Sequence, residues 1–178
     1  MKKQGILIFI LLLALCCSAQ DTKPPDHQNL EKRGNQGMGF DQEKITHHFL
    51  LTKDGGVIQV LANSPDDKTS IDQIRMHLEH IARAFASGDF DIPMFVHDQT
   101  PPGVPVLKRL RKKLAYKVEI MDSGGRVVIH TANPQALHAL WVFLRFQITQ
   151  HKTGDPLDQP NTWRFTPWGS LFPVSVSA

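Results

Sequence analysis

ITHHFLLTKDGGVIQV, residues 45–60, places two apolar-rich runs around Lys53-Asp54-Gly55-Gly56. Residues 47–52 and 57–62 read as strands. Asp-Gly between them suits a two-residue hairpin turn, whose central residues both need positive φ. With Asp54-Gly55 as the turn, Lys53 pairs with Gly56, Leu51 with Ile58, Phe49 with Val60 and His47 with Ala62. Side chains alternate along a strand, so His47 faces the helices and His48 faces away. The two neighbours therefore cannot ligate one metal together, and a one-residue slip would exchange them.

A loop, Asn63-Ser64-Pro65-Asp66-Asp67, follows. Ser70 with Gln73 resembles a capping box. Ile71, Ile74, Leu78, Ile81 and Phe85 then recur at helical spacing up to Gly88. The same order returns in YKVEIM (116–121), the turn Asp122-Ser123-Gly124-Gly125 and RVVIHT (126–131). Asn133-Pro134 starts a second helix through Leu137, Leu140, Trp141, Leu144 and Ile148 to Gly154. Superposing the Gly-Gly pairs aligns Phe49 with Val118, Leu51 with Ile120, Ile58 with Val127 and Val60 with Ile129. In the second unit Tyr116, Val118 and Ile120 face inward and Lys117 and Glu119 outward, and His47 takes the position of Tyr116. The pattern predicts an α+β domain: two ββα units (45–88 and 115–154), a four-stranded antiparallel sheet, and both long helices on one face.

Between the units, residues 88–93 read as a loop, Met94 to His97 as a short strand, QTPPGVP (99–105) as a rigid turn region and residues 106–114 as a short helix. That last run, LKRLRKKL (107–114), is basic and amphipathic. Its leucines suit packing on the core, and a lipid-anchored chain could bring its cations to anionic headgroups.

The flanks set the compartment. Met1-Lys2-Lys3 and the apolar run 5–15 have the build of a signal peptide (1–19), with cleavage after Ala19. A lipoprotein signal anchored through Cys16 or Cys17 is the competing reading, weakened by the large Leu15. Both cysteines fall in this segment, so the processed chain offers no thiolate. Of the 20 Lys and Arg, 18 remain against 17 acids, so nothing draws the domain to nucleic acid. Residues 20–39 read as a flexible tether and 40–157 as the domain. The Pro- and aromatic-rich tail 158–178 carries Trp163, Phe165, Trp168, Leu171 and Phe172. It is expected to pack on the domain, with Val142 and Phe146 of the second helix as a partner surface for this tail or for another chain.

All nine histidines follow the leader. In an exported chain without cysteine, His with Met suits copper and His with carboxylate suits zinc. His77 and His80 are helical neighbours. With His97, His47 and Met94 they form the candidate metal set. Three members also have an ordinary explanation: His77 and His80 as a solvated helix flank, His47 as a buried imidazole bonded to backbone or Tyr116. His48 and His130 suit the outer sheet face, His138 a helix flank, and His151 the negative end of the helix dipole. Met76 points away from the apolar stripe, and Met38 falls in the tether.

His97-Asp98 is the one His–carboxylate pair that suits a hydrolase-like enzyme, although turn formation explains Asp98 equally. No G-x-S-x-G, P-loop or HExxH is present. Catalytic residues therefore remain unassigned. Three readings stand: a non-enzymatic envelope protein binding copper or zinc, a metal-free ligand- or protein-binding module, and the enzyme.

MGFD (38–41), HHF (47–49), FASGDF (85–90), PGVP (102–105), FLRFQ (143–147) and HKTGD (151–155) resemble a group of small exported bacterial proteins. The resemblance spans most of the mature domain. It implies a periplasmic or secreted location and no particular activity.

Overall fold

Two tight hairpins form the centre of the fold. The computed structural model describes residues 27–39 and 41–158, and the backbone of Trp163–Phe165 and Leu171–Pro173. The expected leader with Cys16 and Cys17, and the side chains of the aromatic tail, lie outside the described residues. No helix among the described residues is long and apolar enough to cross a membrane.

Strands β1 (Ile45–Thr52) and β2 (Gly55–Ala62) form the first hairpin, β3 (Ala115–Met121) and β4 (Gly124–His130) the second. The sheet order is β1-β2-β4-β3, all neighbours antiparallel. The α+β architecture expected from the repeat is present, and the repeat is visible in the pairing. Ile58 and Val127, matched by superposing the two Gly-Gly turns, are direct partners across the central β2–β4 seam. An approximate two-fold therefore passes between them.

The hairpin register differs from the expected one. Thr52 pairs with Gly55 and His47 with Val60, so Lys53-Asp54 is the turn. None of Lys53, Asp54, Asp122 and Ser123 takes a positive φ. The glycines serve the strands instead. A Cβ on Gly55 would fall on the Ile129 carbonyl, and one on Gly56 would run into Leu144 Cδ1. The partners shift by two residues, an even number, so each side chain keeps its predicted face.

Helices α2 (Lys68–Ser87) and α5 (Pro134–His151) cover one face of the sheet. Each reaches the other unit's hairpin. Arg75 of α2 donates to the Met121 carbonyl at 2.8 Å, and Trp141 of α5 donates to the Gly55 carbonyl at 2.9 Å. Leu78 and Leu144, both fully buried, sit against Gly125 and Gly56. The cap of α2 is Asp67, whose carboxylate accepts from the Ser70 amide, so the Ser70–Gln73 box is not used. Asn133 caps α5 as expected, accepting from the Ala136 amide. The buried face of α5 is Ala136, Leu140, Phe143, Leu144, Gln147 and Ile148, rotated from the expected stripe, and Leu137 is only half-buried.

Three connecting segments depart from expectation. Residues 27–38 of the expected tether form α1 (His27–Met38), held by buried Leu30 and by Arg33 Nε donating to the Val96 carbonyl at 2.8 Å. Its sequence has almost no apolar periodicity because glycine makes the approach: a Cβ on Gly37 would come within 3.2 Å of Val96 Cγ2. Residues expected as a strand belong to α3 (Asp91–His97), which ends at Asp98 in left-handed conformation. A run of four residues cannot separate strand from helix by periodicity. The short helix of the basic run is α4 (Val104–Arg109), with a single 3-10 turn, Arg111–Lys113, after it. Leu107 and Leu114 are buried, so the run packs on the core.

After α5 the chain turns through Lys152 at φ 50° and crosses the β1 edge. Leu157 accepts from Arg145 Nε at 2.7 Å. Beyond it β5 (Trp163–Phe165) and β6 (Leu171–Pro173) pair with each other.

Candidate functional site

The inward face of β1 brings His47 and Phe49 beneath the C-terminal turn of α5, which carries Gln147 and His151. The C-terminus of α3 adds His97, the middle of α2 adds His77, and the end of α1 adds Met38. All seven line one cavity, with Ile58, Val60, Phe85 and Phe143 among its walls. The cavity holds about 60 Å³ open to the centre of a water molecule, room for an ion or a few waters.

The imidazoles lie close together. The ring centres of His47 and His151 are 5.7 Å apart, and those of His97 and His151 are 5.1 Å apart. Phe49 stacks on His47, and Phe146 packs edge-on to His97. His97 is buried, and its Nε2 lies 2.9 Å from Gln147 Oε1. An amide oxygen only accepts, so Nε2 carries the proton and Nδ1 is a bare lone pair. That Nδ1 and the Gln147 amide nitrogen are buried without a hydrogen-bond partner.

Burial favours the neutral form of His47, His77 and His97. His47 is lowered to about 3, by desolvation first and then by His151, His77 and His48. His77 is lowered to about 4 by desolvation and by His80. Desolvation also lowers His97, partly opposed by its bond to Gln147, with Arg33 lowering it further. Neutral imidazole is the metal-ligating form.

The structure thus brings together three of the five candidate ligands, His47, His77 and His97. It separates the other two. His80 is exposed on the solvent side of α2, and Met94 is half-buried against the core with its sulfur near Lys108 Nζ. Helical spacing joins His77 and His80 in sequence, but the edge of α2 divides cavity from solvent between them. His151, Gln147 and Met38 were missed. His151 lies seven residues after Leu144 and four after Gln147 on the buried face, so the correct α5 stripe would have found it. Met38 required knowing that 27–38 folds. The His97–Asp98 pair does not form: Asp98 is exposed, and His97 bonds Gln147.

Among the described residues, no three His, Cys, Asp or Glu side chains already stand where they could hold one metal ion. Joint ligation by His47, His97 and His151 requires their rings to rotate within the cavity.

A second polar arrangement lies at the edge of β1. His48 Nδ1 is 2.9 Å from Asp155 Oδ1, while Asp155 Oδ2 accepts from the Phe49 amide and the Thr153 hydroxyl. His48 is raised, chiefly by its bond to Asp155. Burial pushes Asp155 up, but its bonds from His48, Thr153 and the Phe49 amide outweigh this and lower it. The arrangement fastens the chain after α5 to the sheet. His130 pairs with Asp54 at 3.0 Å on the exposed surface, and His138 is exposed.

The chain matches no protein-family model, no curated protein and no solved structure.

Proposed function

We propose that this is an exported, non-enzymatic envelope protein that binds copper, or less favourably zinc, through His47, His97 and His151, with His77 and Met38 at the same cavity. One observation carries the reading. The His151 ring, on α5, stands with its centre 5.7 Å from that of His47 on β1 and 5.1 Å from that of His97 on α3. Two imidazoles sharing a tetrahedral ion stand about 5 Å apart by the usual metal–nitrogen distances. His97 supports it further. Its N–H is donated to an amide carbonyl while the other nitrogen is bare, the outer-shell arrangement that orients ligating histidines. Copper is favoured because the cavity offers a thioether and no carboxylate. Export rests on the basic start and apolar run of residues 1–15.

A metal-free reading has its own support. The cavity walls are mostly apolar, and the Gln147 amide nitrogen lacks a partner. A small apolar molecule with a hydroxyl or amide head would satisfy both it and His97 Nδ1.

Elemental analysis of protein purified without a histidine tag, then copper and zinc titration, separates these readings. The metal reading expects one ion per chain, lost in His97→Ala/His151→Ala and retained in His80→Ala. Absence of a bound ion and of any titration tighter than scattered surface histidines overturns it. Native mass spectrometry then looks for an organic adduct.

A further inference from the structure

The two edges of the sheet are equivalent in the repeat but treated differently. In an antiparallel ladder, alternate residues turn their amide and carbonyl toward the neighbouring strand. Thr52 closes the first hairpin, so Phe49 and Leu51 point their backbone groups outward. The bond from the Phe49 amide to Asp155 agrees. Val118 is the repeat partner of Phe49, and Tyr116, Val118 and Ile120 point outward from β3 in the same way. Asp155 and the chain after α5 cover the first edge. No hydrogen bond reaches the outward amides of β3 among the described residues.

The face of this bare edge is apolar and incompletely covered. Ile120 is 56% exposed, and Tyr116 and Val118 are half-buried. Beside them Ala82, Ala86 and Leu114 line an open groove between α2 and β3. Lys117 and Glu119 occupy the opposite face and lie 3.0 Å apart, with Glu119 also held by Arg126 at 2.7 Å.

We infer that β3 pairs with β3 of a second copy of this chain, antiparallel about Val118, to form a continuous eight-stranded sheet across a two-fold. The occupant follows from the register. Centring on Val118 sets Val118 opposite its own copy and Tyr116 opposite Ile120. These are the residues whose outward backbone groups bond each other in such a pair. Lys117 then stands opposite Glu119 twice, at closely spaced non-hydrogen-bonded positions where opposite charges attract. Centring on Tyr116 or Ile120 loses the charge match. The exposed Ile120 gains the ring of the other copy's Tyr116, and the grooves beside the two strands meet across the axis. Lys and Glu on an edge normally discourage association. Here their order makes the strand complementary to itself.

The test uses the full chain, purified as the cell processes it, in sedimentation over a concentration series. The mass is expected to double with concentration. Lys117→Glu alone and Glu119→Lys alone each place like charges opposite each other twice and should remain monomeric. Mixed one to one, they restore both pairs and should co-sediment as a heterodimer. Val118→Pro removes an outward amide, which an edge strand tolerates in the monomer, together with the packing of a half-buried valine; the chain should stay folded at somewhat lower stability, and the dimer should be abolished. Wild-type protein that stays monomeric up to its solubility limit overturns the inference. So do a dimer unaffected by Val118→Pro and charge variants that fail to recombine.

Discussion

Arg75 and Trp141 hold the same place in the two ββα units, and each donates into the other unit's hairpin. Trp141 Nε1 reaches the carbonyls of Thr52 and Gly55 at 3.2 and 2.9 Å. Arg75 reaches those of Met121 and Gly124 at 2.8 and 3.4 Å. The acceptors are themselves repeat partners. A guanidinium and an indole have little in common except a planar N–H on a long arm, and both occupy the two-residue turn's open end.

Removing the indole N–H should therefore loosen the first hairpin. Trp141→Phe keeps most of the ring's packing and leaves two carbonyls without this donor. A cost of about 1–2 kcal/mol is expected, read as a lower denaturant midpoint at unchanged slope. An unchanged midpoint would mean that water replaces the indole freely.

Gly56 of β2 lies directly against the Leu144 side chain of α5. A methyl at Gly56 meets Leu144 Cδ1, so Gly56→Ala should cost about 1–3 kcal/mol by overpacking. Leu144→Ala should cost about 2–5 kcal/mol through the cavity it leaves. The double variant should cost less than the two together by more than about 0.5 kcal/mol, since each change relieves the other. Strict additivity in the denaturation series would show that the Leu144 side chain is free to move aside.

The strands, the long helices and their common face were legible because they rest on alternation and helical spacing, which sequence displays. The role of the glycines was not. Gly55 and Gly56 look like turn residues, and only Ile129 and Leu144, remote in sequence, reveal why a side chain is excluded. The site was half legible for the same reason. His47 and His77 lie on patterned elements. His97 sits on a helix too short to show a period, and Met38 on one that docks through Leu30, Arg33 and the close approach of Gly37 rather than through an apolar stripe. A stripe through Leu137 and Trp141, rather than Phe143 and Gln147, turns His151 off the buried face and leaves the helix dipole as its explanation.

The buried imidazoles and the His48–Asp155 bond give opposite pH dependences. His47 and His77 fall from 6.5 to about 3 and about 4 on folding, so the unfolded chain takes up protons first. Their contribution is full above about pH 6.5 and is lost as pH drops toward 4. His47→Gln or His77→Gln should flatten that decline in denaturant midpoints. His48 is raised and Asp155 lowered, so their bond stabilises fully between about pH 4 and 6.5. It weakens as pH rises through the raised value of His48, and again as pH falls through the lowered value of Asp155. His48→Gln should therefore cost most near pH 5–6 and little at pH 9. A constant difference across that range would assign the bond no charge.

Gln147 offers the sharpest test of the metal reading, because it touches no ion in that reading. Its carbonyl takes the Nε2 proton of His97 and so holds Nδ1 bare toward the cavity. Gln147→Ala frees the ring to turn and to change tautomer. Loss of such an orienting partner typically lowers metal affinity about 10–100-fold, while the remaining ligands keep the stoichiometry at one. Gln147→Glu keeps an acceptor for the same proton and should restore most of the affinity, with a carboxylate now favouring zinc over copper(I). Competition titrations with copper(I) and zinc at pH 7.5 read both effects. If Gln147→Ala binds as tightly as the parent, His97 is not a ligand and the ion, where one binds, is held by His47, His77 and His151 alone.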